Sequence, residues 1–362
     1  MKVVKTQRHR PDFILLTTSI ILLLFGLLMV YNASPVTALR DFGDPFYLAK
    51  LQVAWAAAAV VAGVTMYKIN YKILESLAPL IILGAVVLLL SVFIPGVGVK
   101  IYGAQRWISV AGIFSIQPAE FAKLAYVIYL ASWLSKKIKL APFAFITATV
   151  SLIVLLQRDL GTTVVISATG LIVYFLAEAP IVHFFTLIPI GVLTAAVFIL
   201  GSEYRRARLL SFLNPTVDPQ GATYHINQIL IALGSGGILG VGLGQSKQKY
   251  GYIPEVTTDS IFAVVGEEFG FVGGALLVLL FTAFAWRGLW IANRAPDTFT
   301  SLMVVGIVVM IVSQSFINMA AMLNIIPLSG TALLFISKGG TTLLFALAEV
   351  GMILGVSRHI RK

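Results

Sequence analysis

The chain contains no cysteine, which excludes disulfides, thiolate nucleophiles and sulfur-ligated metal sites. It also carries little charge. Only 11% of its 362 residues are Asp, Glu, Lys or Arg, against about 25% in an average soluble domain. Acid is the scarcer sign, with 15 Asp and Glu against 26 Lys and Arg and a formal net charge of +11. Histidine is scarce too, and no His/carboxylate spacing suggests a preformed metal cage. The glycine run Gly234-Ser235-Gly236-Gly237, continued by Gly240, Gly242 and Gly244, has no Gly-Lys-Ser/Thr behind it and no strand–turn–helix setting, so it is not a nucleotide loop. An Asp-X-Asp pair of the kind nucleotide-sugar transferases use is absent as well.

What the sequence has in abundance is apolar length: 59% of residues are hydrophobic. Runs at Phe13–Tyr31 and about 47–66, 77–95, 118–135, 142–157, 160–177, 184–201, 259–286, 300–320 and 334–357 each approach the ~20 residues a helix needs to cross the hydrocarbon. The expected fold is an all-α polytopic membrane protein of about ten transmembrane helices, one integral domain over residues 1–362. The first run follows Lys2, Lys5, Arg8, His9 and Arg10, is long for a signal-peptide core and lacks a convincing cleavage site. It reads as an uncleaved span with its N-terminus inside. Lys68/Lys72, Lys136/Lys137/Lys139, Arg287/Arg294 and Arg358/His359/Arg361/Lys362 then all fall inside, so both termini are expected to be cytoplasmic. The positive charge serves topology and anionic head groups of membrane lipids; no nucleic acid is implied.

Between spans seven and eight lies a large outer loop, 202–258, too apolar and glycine-rich for a free tail. It is expected to fold back onto the outer face and to be partly re-entrant. It carries Arg205, Arg206 and Arg208, either a head-group-binding face or a ligand site, then the turn Asp218–Gly221 and the short helix candidate Ile226–Leu233. Lys247 and Lys249 lead to Asp259, where Thr257 or Thr258 is expected to cap the next helix and the helix dipole to keep the first-turn carboxylate ionised. The plain alternative is that Asp259 merely starts a helix. Arg106 and Trp107 sit in the outer loop after span three, where an aromatic belt would also place an indole. Pro118 opens span four, with Glu120 and Lys123 paired on one face. Asp159 sits in an outer turn, and spacing does not say whether it faces Asp259. Glu267 and Glu268 lie about 12–14 Å deeper than Asp259. Glu267 is expected to line the same cavity and Glu268 to bond a neighbouring helix.

Taken together, GAQRWI, IQPAEFAK, QRDLGT, YRRARLLSFLNPTVDPQGATYHINQ, GSGGILGVGLGQSKQKYGYIPE, TTDSIFAVVGEEFGFVGG and SGTALLFISKGG resemble the SEDS family (shape, elongation, division and sporulation), its FtsW/SpoVE branch more than its RodA branch. The resemblance runs through essentially the whole chain. It implies a peptidoglycan glycosyltransferase of the bacterial cytoplasmic membrane, which polymerises lipid II on the outer face. A class B penicillin-binding protein and other divisome or elongasome proteins are the implied partners. The family's essential acid falls on Asp259. Arg106, Trp107, Glu120, Lys123 and Arg208 fall at other motif positions, and Asp159, Arg205, Lys247, Lys249 and Ser337 complete the expected substrate-binding set.

Three positions depart from the family pattern. Ser260 stands where Phe is usual after the Asp, Arg158 where Pro is usual, and Lys338 where Tyr is usual. No cofactor is demanded, although a divalent cation (Mg or Mn) bridging Asp259 and pyrophosphate is compatible with the chemistry. The competing functions are a lipid II flippase gated by Glu267, Glu268 or Glu349, against which no repeat relates the two halves, and a non-enzymatic division scaffold.

Overall fold

The computed structural model describes residues 10–101, 104–110, 114–214 and 223–360. The basic residues 2–9, Gly103, the turn Asp218–Gly221 and the tail residues Arg361 and Lys362 lie outside the described residues. Thirteen helices and three strands follow in order: α1 Phe13–Ala33, α2 Pro35–Phe42, α3 Tyr47–Lys68, α4 Tyr71–Ser91, β1 Gly98–Ile101, β2 Ala104–Val110, β3 Phe114–Ile116, α5 Pro118–Leu134, α6 Leu140–Leu156, α7 Leu160–Leu176, α8 Val182–Leu200, α9 Glu203–Leu213, α10 Tyr224–Gly236, α11 Ile261–Asn293, α12 Thr298–Met322 and α13 Gly340–Ser357.

Each of the ten apolar runs coincides with a helix, because backbone polar groups in hydrocarbon must be satisfied within their own segment. Among the described residues, seven of those helices are long and apolar enough to cross a membrane, while α5, α6 and α7 have 17 residues each. The fold is helical as expected, with one local addition in the loop after α4. There β1, β2 and β3 form an antiparallel sheet in that order. Val99, Trp107 and Ile108 are β-branched or aromatic residues that suit a ribbon better than a helix.

The core is built on α12 and α13, most of whose residues are buried; α8, by contrast, buries none of its side chains. At the end of the bundle that carries the termini, Asp12 caps α1 and pairs with Arg287 of α11 at 2.6 Å, while its amide donates to Ser357 of α13. Three helices are thereby tied at one point.

Two apolar runs do not become simple helices. The last was expected from residue 334, yet α13 begins only at Gly340. Residues 333–336 are irregular, and all are 2% exposed or less. Non-helical backbone is tolerated at depth when protein, not lipid, surrounds it. The other is α11, broken at Gly270, where φ is 64° and ψ −161°. The loop after α10 repairs the break: Phe271 and Val272 donate to the carbonyls of Gly237 and Ile238, and Val241 and Gly242 to those of Glu267 and Glu268. A Cβ at Gly270 would meet the Gly240 nitrogen at 2.4 Å, so only glycine permits this approach. The end of the 202–258 segment is thus a loop hydrogen-bonded into a broken helix.

Candidate functional site

Asp259 lies just before α11 and not in its first turn. The N-cap is Ser260 and the helix starts at Ile261. Neither threonine caps it, because both lie before the N-cap position; the Thr258 hydroxyl donates instead to the Glu255 carboxylate at 2.8 Å, and the Thr257 carbonyl accepts from the Lys338 amide at 2.8 Å. Asn318 of α12 fixes the Asp259 segment, donating at 2.7 Å both to the Asp259 carbonyl and to that of Thr331. Ser337 donates to the Thr258 carbonyl at 2.6 Å and accepts from the Leu333 amide at 2.9 Å. It is 6% exposed, so it ties two loops together and does not present its hydroxyl to a substrate.

The charged groups converge around Gly330, whose φ is +70° and whose side chain is missing where space is needed. A Cβ there would lie 3.4 Å from Arg208 Nη1 and 3.6 Å from Asp259 Oδ2. Arg208 also donates to the Leu328 carbonyl at 3.2 Å. Arg106, on β2, reaches Asp159 at 3.7 Å and donates to the carbonyl of Arg158, a residue held at φ +65°. Asp159 caps α7 by accepting from the Thr162 amide at 3.1 Å. Asp159 does lie within electrostatic range of Asp259, but Arg106 and the α7 amide already occupy it.

This setting changes the expected protonation of Asp259. Burial and the nearby Glu255 charge raise its pKa from 3.8 to about 6, with Asp159 adding to the rise, while Arg208 and Arg106 oppose it. The carboxylate remains mostly ionised at pH 7, yet it is basic enough to accept a proton. Beyond Arg208, burial and the charges of Arg158 and Arg106 lower the pKa of Arg205, whose guanidinium donates to the Phe198 carbonyl at 3.0 Å. On the Glu255 side, burial lowers the Lys338 pKa while Glu255 and Asp41 hold it up. Asp259 therefore sits between an arc of guanidinium groups and a Glu255–Lys338–Asp41 chain. Glu255, Arg158, Lys338, Asn318 and His225 had not been selected from sequence as site residues. Arg158 and Lys338 were visible as departures from the family pattern, whereas Asn318 carries no local signal.

Five expected site residues are placed elsewhere. Lys123 pairs with Glu120 at 2.9 Å and donates to Gln314, which donates to the Ala332 carbonyl at 3.1 Å. Glu120 and Lys123 are 5% and 2% exposed. The pair is an internal strut beneath the loop that carries Gly330. Lys249 is 6% exposed, and its ammonium is taken by Glu268 at 3.0 Å and by Asn32 and the Gly244 carbonyl at 2.8 Å each. Trp107 neighbours Arg106 on β2, and consecutive strand residues point to opposite faces. With Arg106 turned to Asp159, the indole is directed away from it. Lys247 is exposed, and its amide is bound by Glu267 at 2.9 Å. Glu267 does not line the Asp259 cavity as expected. It accepts from Ser246 and from the amides of Lys247 and Gln248, because the re-entrant loop lies against that face of α11.

The chain was compared with known proteins. The family model described as cell cycle protein (FtsW, RodA, SpoVE) matches residues 13–362. Stage V sporulation protein E of Bacillus subtilis is 42% identical over 98% of this chain and 99% of its own length. A probable peptidoglycan glycosyltransferase FtsW of Geobacter metallireducens is 36% identical over 98% of this chain and 96% of its own. Among solved structures, one from a peptidoglycan synthase complex that coordinates polymerization and crosslinking superposes with a TM-score of 0.79 at 26% identity, covering 96% of this chain and 98% of that one. The rod shape determining protein RodA of Thermus thermophilus gives 0.72 at 25% identity, covering 97% and 98%. With the match running from α1 through the Asp259 crevice to the last residue, the chain belongs to the FtsW/RodA/SpoVE family of cell cycle proteins.

Proposed function

We propose that this protein is a peptidoglycan glycosyltransferase that polymerises lipid II at the outer face of the cytoplasmic membrane, for division or shape. One observation carries the reading: a carboxylate with a pKa of about 6 shares the Gly330 position with the Arg208 guanidinium and lies within electrostatic range of Arg106. Asp259 takes the proton of the acceptor sugar hydroxyl as that oxygen bonds to the donor's anomeric carbon. The bond from that carbon to the pyrophosphate oxygen breaks, and Arg208 and Arg106 neutralise the charge that builds on the leaving group. Arg158 and Arg205 extend the positive field behind them. A single displacement with inversion needs one base and forms no sugar–enzyme intermediate, so the paired carboxylates of hydrolases are unnecessary.

A protein-held divalent cation does not fit the donors present. No group of three or more His, Asp or Glu converges among the described residues, and a guanidinium flanks Asp259 where a cation would have to sit. Both termini lie on the cytoplasmic side in this reading. A class B penicillin-binding protein is the proposed partner, supported by the fold's likeness to a chain of a synthase complex.

The flippase alternative loses two of its three candidate gating charges, since Glu267 and Glu268 are engaged by the 244–249 loop and Asn32, which leaves Glu349. Purified protein given labelled lipid II should yield glycan polymer. Transbilayer movement without polymer would make it a transporter, and neither result would leave a scaffold.

A further inference from the structure

Ser260 is the N-cap of α11, where a serine hydroxyl ordinarily accepts from a first-turn amide and contributes about 1 kcal/mol. Here the side chain makes no capping bond. Its oxygen lies 2.8 Å from Nε2 of half-buried His225 on α10, and Ser260 itself is 0% exposed. The residue that follows the reactive carboxylate thus gives up a local bond for a contact 35 positions away. On the other side of the same peptide, Asn318 holds the Asp259 carbonyl at 2.7 Å. Two anchors, one from α12 and one from α10, flank the peptide that joins Asp259 to Ser260. Together they fix its rotation and hence where the carboxylate points.

We propose that His225 is a positioning residue for the glycosyl transfer: through Ser260 it holds Asp259 aimed at the Gly330–Arg208 side of the crevice. The charged groups near the imidazole are Arg208 and Glu255. Burial first, and then the Arg208 charge, press its pKa down to about 4 against the pull of Glu255. The ring is therefore neutral wherever the enzyme works, and it acts through one hydrogen bond without exchanging protons with substrate. Phenylalanine, usual in the family at the Ser260 position, could make no such bond, so the His225–Ser260 link belongs to this chain's own version of the site.

This inference rests on Asp259 being the base, and its test keeps the two apart. Polymerisation of lipid II is followed for His225→Ala, Ser260→Ala, the double variant and His225→Gln. Misaiming a catalytic group by about 1 Å can cost on the order of 10²-fold, so each Ala variant should lower kcat by about tenfold or more with KM and melting temperature unchanged. The double variant should be no worse than either single one, because both remove the same link. His225→Gln, which keeps a side-chain hydrogen-bonding group there, should recover much of the rate. The acid limb of the pH profile should stay near pH 6 in every variant, since Asp259 still titrates. Multiplying defects in the double variant, a displaced acid limb, or an unchanged kcat in Ser260→Ala would each overturn the proposal. If the His225 variants do not fold, Ser260→Ala alone decides it by the same kcat criterion. Wild-type activity in Asp259→Asn would sink the base assignment itself, whatever His225 does.

Discussion

Two groups of acids lie along one stretch of chain, separated by about 12 Å of helix, and they have opposite characters. The inner group, Glu267 and Glu268, is buried and fully engaged. Glu267 binds the hydroxyl of Ser246 and two amides, and Glu268 binds Lys249, Asn32 and the Ser246 amide. In the outer group, Glu255 raises the cost of charging Asp259, and guanidiniums supply only part of the compensation. A saturated acid is a structural bond, because every partner it has would be lost on reacting. An incompletely compensated acid retains the drive to take a proton. The inner pair is the more buried, yet what sets its character is the degree of satisfaction.

The largest test of that contrast is Asp259→Asn. Loss of a general base typically costs 10²–10⁴-fold, so polymerisation should fall by about that much while insertion is retained. Stability should move the other way. The folded carboxyl titrates above its unfolded value, so its ionised form disfavours folding above pH 6. The Asn variant should therefore melt no lower than wild type at pH 8. A lower melting temperature there would mean that Asp259 is a structural acid like the inner pair.

Glu268→Leu should do the reverse. It leaves the Lys249 ammonium buried without its counter-charge, a defect worth about 3–5 kcal/mol, seen as lost folding yield and melting temperature with near-normal turnover per folded molecule. Adding Lys249→Met should restore much of the stability. If turnover collapses while stability holds, the inner acids belong to the reaction.

The pH profile sharpens the outer half. Turnover should rise with pH through about 6, because the base must be deprotonated and its pKa stands there. Glu255→Gln removes a charge that raises that pKa and should move the limb down. Arg208→Ala removes one that lowers it and should move the limb up, with a higher KM for lipid II. Limbs that stay fixed in both variants would mean that another group titrates.

The smallest effects separate neighbouring arginines. Arg205→Ala should raise KM a fewfold and weaken its salt dependence, since Arg205 is drawn into the cationic arc, whereas exposed Arg206→Ala should be nearly silent. Equal effects would reduce the arc to a general basic surface.

Much of this molecule was legible before folding. Phe13–Ala33 and Thr298–Met322 could be placed from composition alone, because a helix in lipid must satisfy its backbone locally and span a fixed thickness. Asp259 stood out by its motif. The break at Gly270 was hidden, since the residues that repair it come from a loop about thirty positions earlier and are hydrogen-bonded only in the folded chain. The partner of Lys249 was equally hidden: Asn32 lies 217 positions away, and the sequence ranks Lys249 with the outer-loop cations. What the sequence alone determined is where chain can cross a membrane and which residue types are available for chemistry, both of which depend on local pattern. Only the tertiary structure decided which acids are neutralised and which stay reactive, because that depends on contacts between residues hundreds of positions apart and on how far each charge is removed from water.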